Sequence, residues 1–103
     1  MSIATTVSVQ QAASDIDSYI KKSGVGYRRW YCGIAADARD RLFRDHNVSE
    51  KGGRWIYADL STDSEARTVE QHFLSKGCDG GAGGGDRTTR SVYVYLKTLA
   101  TNP

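Results

Sequence analysis

Apolar positions along the chain change their period several times, and each change marks an element. Between Ser8 and Lys22, Val9, Ala12, Ile16 and Tyr19/Ile20 recur at helical spacing, and Gly24 supplies a stop. Val25 to Ala35 is rich in bulky and aromatic residues and poor in helix formers, which predicts a strand. Its alternation puts Tyr27, Arg29, Tyr31 and Gly33 on one face and Arg28, Trp30, Cys32 and Ile34 on the other. The Trp30/Cys32/Ile34 side is the expected core side, so the tyrosine and arginine side is expected to look toward a groove or solvent. Asp37 caps a short helix from about Ala38 to His46, with Leu42 and Phe43 as its buried side. A second strand runs from Arg54 to Leu60, alternating Trp55, Tyr57 and Asp59 with Ile56, Ala58 and Leu60. Thr62-x-x-Glu65 is a capping box that opens a helix ending near Lys76, with Gly77 as its stop. A third strand from Arg90 to Thr98 alternates Val92, Val94 and Leu96 with Tyr93, Tyr95 and Lys97.

These elements predict an α+β fold: a small antiparallel three-stranded sheet packed with about three helices. A chain of 103 residues forms one domain, 1–103, with loose ends at 1–7 and 99–103 and a Gly-rich loop at 78–89. Within that loop, Cys78-Asp-Gly-Gly-Ala-Gly-Gly-Gly-Asp86 is a flexible linker or a set of backbone N–H groups able to face an anion. No Gly-Lys-Ser/Thr follows it, so it is not a Walker loop.

Charge changes the picture only locally. A net charge of +2 does not by itself argue for a polyanionic partner. Arg28, Arg29, Arg39, Arg41 and Arg44, however, gather five of the fourteen basic residues around one stretch, which marks them as nucleic-acid contacts. Asp37, Asp40 and Asp45 are interleaved with them, and a surface ladder of ion pairs is the competing arrangement. Two scattered cysteines, Cys32 and Cys78, make neither a disulfide framework nor a zinc cluster, and they suit a reducing compartment. Met1 to Val9 lacks the pattern of a signal peptide and no stretch is long enough to cross a membrane, so a cytoplasmic location is expected.

One carboxylate stands out. Ala66, Val69, Phe73 and Leu74 define the apolar arc of the third helix, and Glu70 falls near its middle. Burying an unpaired charge is costly, so Glu70 needs an arginine, a tyrosine or a bound cation.

Several residues together resemble the GIY-YIG nuclease signature. Tyr31-Cys32-Gly33 is similar to that family's second tripeptide, and Arg41-Leu42 to the Arg-Leu pair of the helix that follows. His46 comes one residue later than the family's histidine. Ala66 with Glu70 is similar to the alanine and metal-binding glutamate of the family's next helix. The first tripeptide has no counterpart ahead of Tyr31. Ser91-Val-Tyr-Val-Tyr95 is the candidate for it, which makes the chain a circularly permuted relative and requires residues 93–95 to pair with residues 29–33.

The resemblance implies a metal-dependent endonuclease that hydrolyses phosphodiester bonds in nucleic acid. Glu70 would hold Mg²⁺ or Mn²⁺, and Tyr31, or Tyr93 or Tyr95, would deprotonate or position the attacking water. Arg41 would clamp a phosphate, and His46 would accept a proton. A phenol in that role needs nearby cations to lower its pKa. The alternatives keep the fold without the reaction. One is a catalytically inactive nucleic-acid-binding module, with aromatic stacking on the tyrosine face. The other is a protein-interaction module that docks through Trp30, Trp55 and the tyrosines.

Overall fold

The computed structural model describes residues 6–81 and 85–103. Most of the expected leader and the middle of the Gly-rich loop lie outside the described residues. The chain is an α+β fold in which β1 (Trp30–Ala35), β2 (Trp55–Asp59) and β3 (Ser91–Leu96) form one antiparallel sheet in the order β1-β3-β2. The last strand in sequence is therefore the central one. Tyr31 lies opposite Tyr95, Cys32 opposite Val94 and Gly33 opposite Tyr93, so the pairing of residues 93–95 with β1 is present. On the other side of β3, Trp55 faces Tyr95 and Tyr57 faces Tyr93.

α1 (Val9–Ser23) and α3 (Asp63–Lys76) cover one face of the sheet. Ser8 caps α1 by accepting a hydrogen bond from the Gln11 N–H, and Gly24 ends it in the left-handed region at φ 73°. In α3 the Thr62 hydroxyl accepts from the Glu65 N–H at 3.1 Å while the Glu65 carboxylate accepts from the Ser61 N–H, a reciprocal cap. Between these helices and the sheet lie Ala12, Ile16, Trp30, Cys32, Phe73 and Val94, fully or almost fully buried. Each large apolar side chain placed there contributes roughly 1.5–3 kcal/mol.

The opposite face differs from expectation. It is covered rather than open: Ala38, Leu42 and Val48 close over Tyr93 and Tyr95, which are 1% and 0% exposed. The covering segment is short. After Asp37 accepts from the Asp40 N–H, α2 (Ala38–Asp40) widens at once into a π-helical turn over Arg41–Asp45, closed by the His46 N–H on the Arg41 carbonyl.

Three other expectations change. The strand predicted from Val25 begins only at Trp30, because Tyr27–Arg29 forms a 3₁₀ turn. That turn takes Tyr27 off the Tyr31 face, and its hydroxyl donates to Asp17 on α1. The Gly-rich loop is no free linker at its start: Asp79 joins the outer edge of β1, accepting from Cys32 N–H and donating to the Trp30 carbonyl, each at 2.8 Å. Gly80 allows this approach, since a Cβ there would fall 2.9 Å from the Cys32 carbonyl oxygen. The C-terminal tail is not frayed. A turn closed by the Thr101 N–H on the Thr98 carbonyl returns it to His46, where the Asn102 N–H donates to the His46 carbonyl at 2.8 Å.

Candidate active site

β1 and β3 bring three phenols into one row. The Tyr31 ring lies 5.2 Å from that of Tyr95 and 6.4 Å from that of Tyr93, each nearly parallel. The Tyr93 ring crosses over Gly33, whose missing side chain makes room for it: a Cβ would fall 2.5 Å from the Tyr93 hydroxyl. The glycine of the Tyr-x-Gly tripeptide is thus required by the phenol opposite it.

His46 completes the cluster. It is buried, not a solvated helix end, and its ring centre lies 4.8 Å from that of Tyr31. Its Nδ1 is 2.6 Å from the Asn102 carbonyl oxygen, which can only accept, so Nδ1 carries the hydrogen. Nε2 is then left to accept from the Tyr93 hydroxyl at 2.7 Å. The Tyr95 hydroxyl sits 3.0 Å from Nδ1 and donates to the same carbonyl.

Tyr31 is the partly exposed member of the row, and several charges meet at its hydroxyl. Burial raises its pKa; the Gly81 backbone N–H and Arg41 pull it down, while Asp79 and Glu70 push it up. Burial also raises Tyr93, against a smaller downward pull from Arg41, and raises Tyr95. The expectation of a phenol lowered by its cations is therefore reversed, because desolvation outweighs the arginine.

Burial pulls the Arg41 pKa down, but Tyr93 and Asp45 hold it above the ordinary value. Arg41 forms an ion pair with Asp45 at 3.3 Å, about half exposed on both sides. Such a pair is worth about 0–1 kcal/mol, so Asp45 holds Arg41 only weakly. A cleft of about 400 Å³ opens beside Arg41, walled also by Asp37, Asp40, Gly85 and Thr89. With that many carboxylates it is no anion site by itself.

Glu70 is buried on α3, as its place on the helical wheel requires, and burial raises its pKa against the opposing charge of Arg67. No group of three or more metal-binding side chains occurs among the described residues. A single carboxylate fits a hard cation that keeps most of its water and takes further oxygens from a substrate phosphate. It does not fit zinc, which needs three or four side chains.

No family model, curated protein or solved structure matches this chain. The site is therefore weighed on its own residues. The structure joins Tyr31, Tyr93, Tyr95 and His46 on one sheet face, with Arg41 in the segment that covers it, whereas Glu70 lies on α3, which packs on the other face. It does not join the other arginines to them. Arg39 pairs with Glu50 and lies over the Phe43 and Trp55 rings, and Arg44 pairs with Asp40 at 3.4 Å. The ladder of ion pairs is what the α2 region builds. Arg28 and Arg29 sit in the 3₁₀ turn ahead of β1. Trp30, at 0% exposure, cannot be a docking residue. Two participants escaped the sequence: the Gly81 N–H at Tyr31 and the Asn102 carbonyl at His46. Both are backbone groups, for which residue type gives no signal.

Proposed function

We propose that the chain is a GIY-YIG-type nuclease, hydrolysing phosphodiester bonds in nucleic acid with one divalent cation. The observation that supports this most is the cluster at Tyr31: one partly exposed phenol lies 5.2 Å from the Tyr95 ring, 6.4 Å from the Tyr93 ring and 4.8 Å from the His46 ring, and the charges of Arg41 and Glu70 bear on it in opposite directions. The pairing of Tyr93-Val94-Tyr95 with β1 favours the permuted arrangement, with β3 in the place of the first tripeptide. The π turn favours His46 as the counterpart of the family's histidine, because a widened turn absorbs one added residue.

Mg²⁺ or Mn²⁺ held by Glu70 would offset charge on the scissile phosphate and the leaving oxygen. Tyr31 orients the attacking water. Arg41 exchanges Asp45 for a phosphate oxygen. Tyr93 and His46 stand behind them, with Nε2 as acceptor for the Tyr93 proton and the Asn102 carbonyl fixing the ring.

The test is cleavage of labelled single- and double-stranded DNA and RNA by the full chain with Mg²⁺ or Mn²⁺. Glu70→Ala and Tyr31→Phe should each lower the rate about 100-fold or more. Failure of the parent chain to cleave any substrate with either metal would sink the reading, and equal cleavage by Glu70→Ala would place the activity elsewhere. A second reading, a binding module without catalysis, is favoured by the burial of Tyr93 and Tyr95 beneath α2. It expects nucleic-acid binding that none of these conditions turns into cleavage.

A further inference from the structure

The antiparallel sheet collects positive charge at one end. There β1 begins, β2 begins, β3 ends, and α1 and α3 finish. Lys97 donates its N–H to the Arg29 carbonyl and Leu96 to the Arg54 carbonyl, which sets those basic residues along the sheet end. Lys22 and Arg54 line a shared cleft of about 270 Å³ with Tyr19 and Ser23. Arg28 packs against Gly77 at the end of α3, and the Lys76 ammonium lies 5.8 Å from the centre of the Tyr27 ring.

Lys22, Arg28, Arg29, Arg54 and Lys76 are all exposed, and no ion pair among the described residues engages any of them. Two further lysines at this end, Lys21 and Lys97, are balanced by Asp17 and Asp79. Against a chain total of +2, five unbalanced cations leave the remainder acidic overall. Asp37, Asp59, Asp63 and Glu65 stand at the far end, where β1 and β2 finish and α3 begins, and outnumber Arg87 and Arg90 ahead of β3.

We infer that this basic end is the surface that holds a nucleic-acid backbone, leading it to the candidate site without reading its sequence. The choice of nucleic acid among polyanions rests on the proposed function; the surface itself does not. Tyr31 is two residues from Arg29, at most roughly 7 Å of chain. Glu70 is six residues from Lys76, about 9 Å along α3. A strand bound across the cap thus passes the phenol and the carboxylate. Lysines and arginines directed at phosphates position a duplex or strand but do not discriminate bases. An anionic membrane is the poorer match, because Leu99 is the one large apolar side chain fully exposed among the described residues, and peripheral anchoring needs an apolar face.

The test is equilibrium binding of the full chain to a fluorescein-labelled 20-mer duplex in EDTA, from 50 to 200 mM salt. Five phosphate contacts should weaken the parent about 500-fold over that range, and Lys22→Gln with Arg54→Gln should reduce the loss to about 40-fold. Arg28→Gln with Arg29→Gln should behave alike. Arg87→Gln with Arg90→Gln removes the same charge at the other end of β3 and should keep the parent's slope. Circular dichroism checks that every variant is folded. An equal change in the Arg87/Arg90 pair would overturn the proposal, since net charge would then explain the binding. So would unchanged slopes in both cap pairs, or tighter binding to phosphatidylserine vesicles than to the 20-mer. Cleavage by the parent chain separates the two ideas: cap-dependent binding by a parent that cleaves nothing with Mg²⁺ or Mn²⁺ keeps the surface and removes the nuclease, and parent cleavage that Glu70→Ala abolishes but the cap pairs leave unchanged does the reverse.

Discussion

Gly33 and Tyr93 form a pair in which the smallest residue makes the largest contact possible. Gly33→Ala should cost about 1–3 kcal/mol, because the new methyl group must displace a ring held by His46 and by its neighbours in a covered face. Urea unfolding measures it. Most of the cost should vanish in a Tyr93→Leu background, whereas a cost unchanged there would mean that backbone strain, not the phenol, demands glycine. Glu70 poses the opposite question. Burial raises its pKa above 4.5, so from that value up to its folded pKa the native chain holds a proton that the unfolded chain has lost. Stability therefore falls as pH rises through the window, and at neutral pH the charged carboxylate is a burden. Glu70→Gln should raise Tm at pH 7, with a smaller gain at pH 4. A lower Tm at pH 7 would show instead that the fold depends on the carboxylate. A buried residue that weakens the fold would, under the proposed function, be a stability–activity trade-off.

Among the elements, the three helices and three strands could be read from apolar spacing because each has one face in a core and caps of recognisable type. Alternation tells which residues share a face, but not which face is wet. Tyr93 and Tyr95 misled for that reason: a phenol ring buries like any aromatic, provided its hydroxyl finds a partner, and His46 with the Asn102 carbonyl supplies one. Arg41 and Asp45 were legible as a four-residue pair, whereas the π turn was not, since nothing in Arg41–Asp45 distinguishes a wide turn from an ordinary one. The tail was missed because residues 99–103 have no periodicity. Its hold on His46 also has a measurable consequence. Ending the chain at Lys97 removes the Asn102 contacts and that between the Asn47 amide and the Ala100 carbonyl, and should cost about 1–3 kcal/mol. The ring nitrogen resonances of His46 should shift with it. An unchanged spectrum would show that the tail does not set which nitrogen carries the hydrogen.

At the scale of the whole molecule, charge is sorted by topology rather than by sequence. The arginines that cluster along the chain at 39–44 are largely neutralised by their neighbours, while Lys22, Arg28, Arg29, Arg54 and Lys76 come from separate segments that the sheet end brings together. No local window of sequence holds that pattern. A polarised surface also orients the chain as it approaches a polyanion, so association should slow as salt rises. The strand order has a further effect, in time rather than space. β1 and β2 each pair only with β3 within the sheet, and β3 follows both of them in the chain. During synthesis, at about 5–20 residues per second, the helices can form and meet, but no ladder can close until β3 has followed both of its partners out of the ribosome. The sheet thus arrives at one stroke, and a chain cut short before its final strand has no smaller sheet to fall back on.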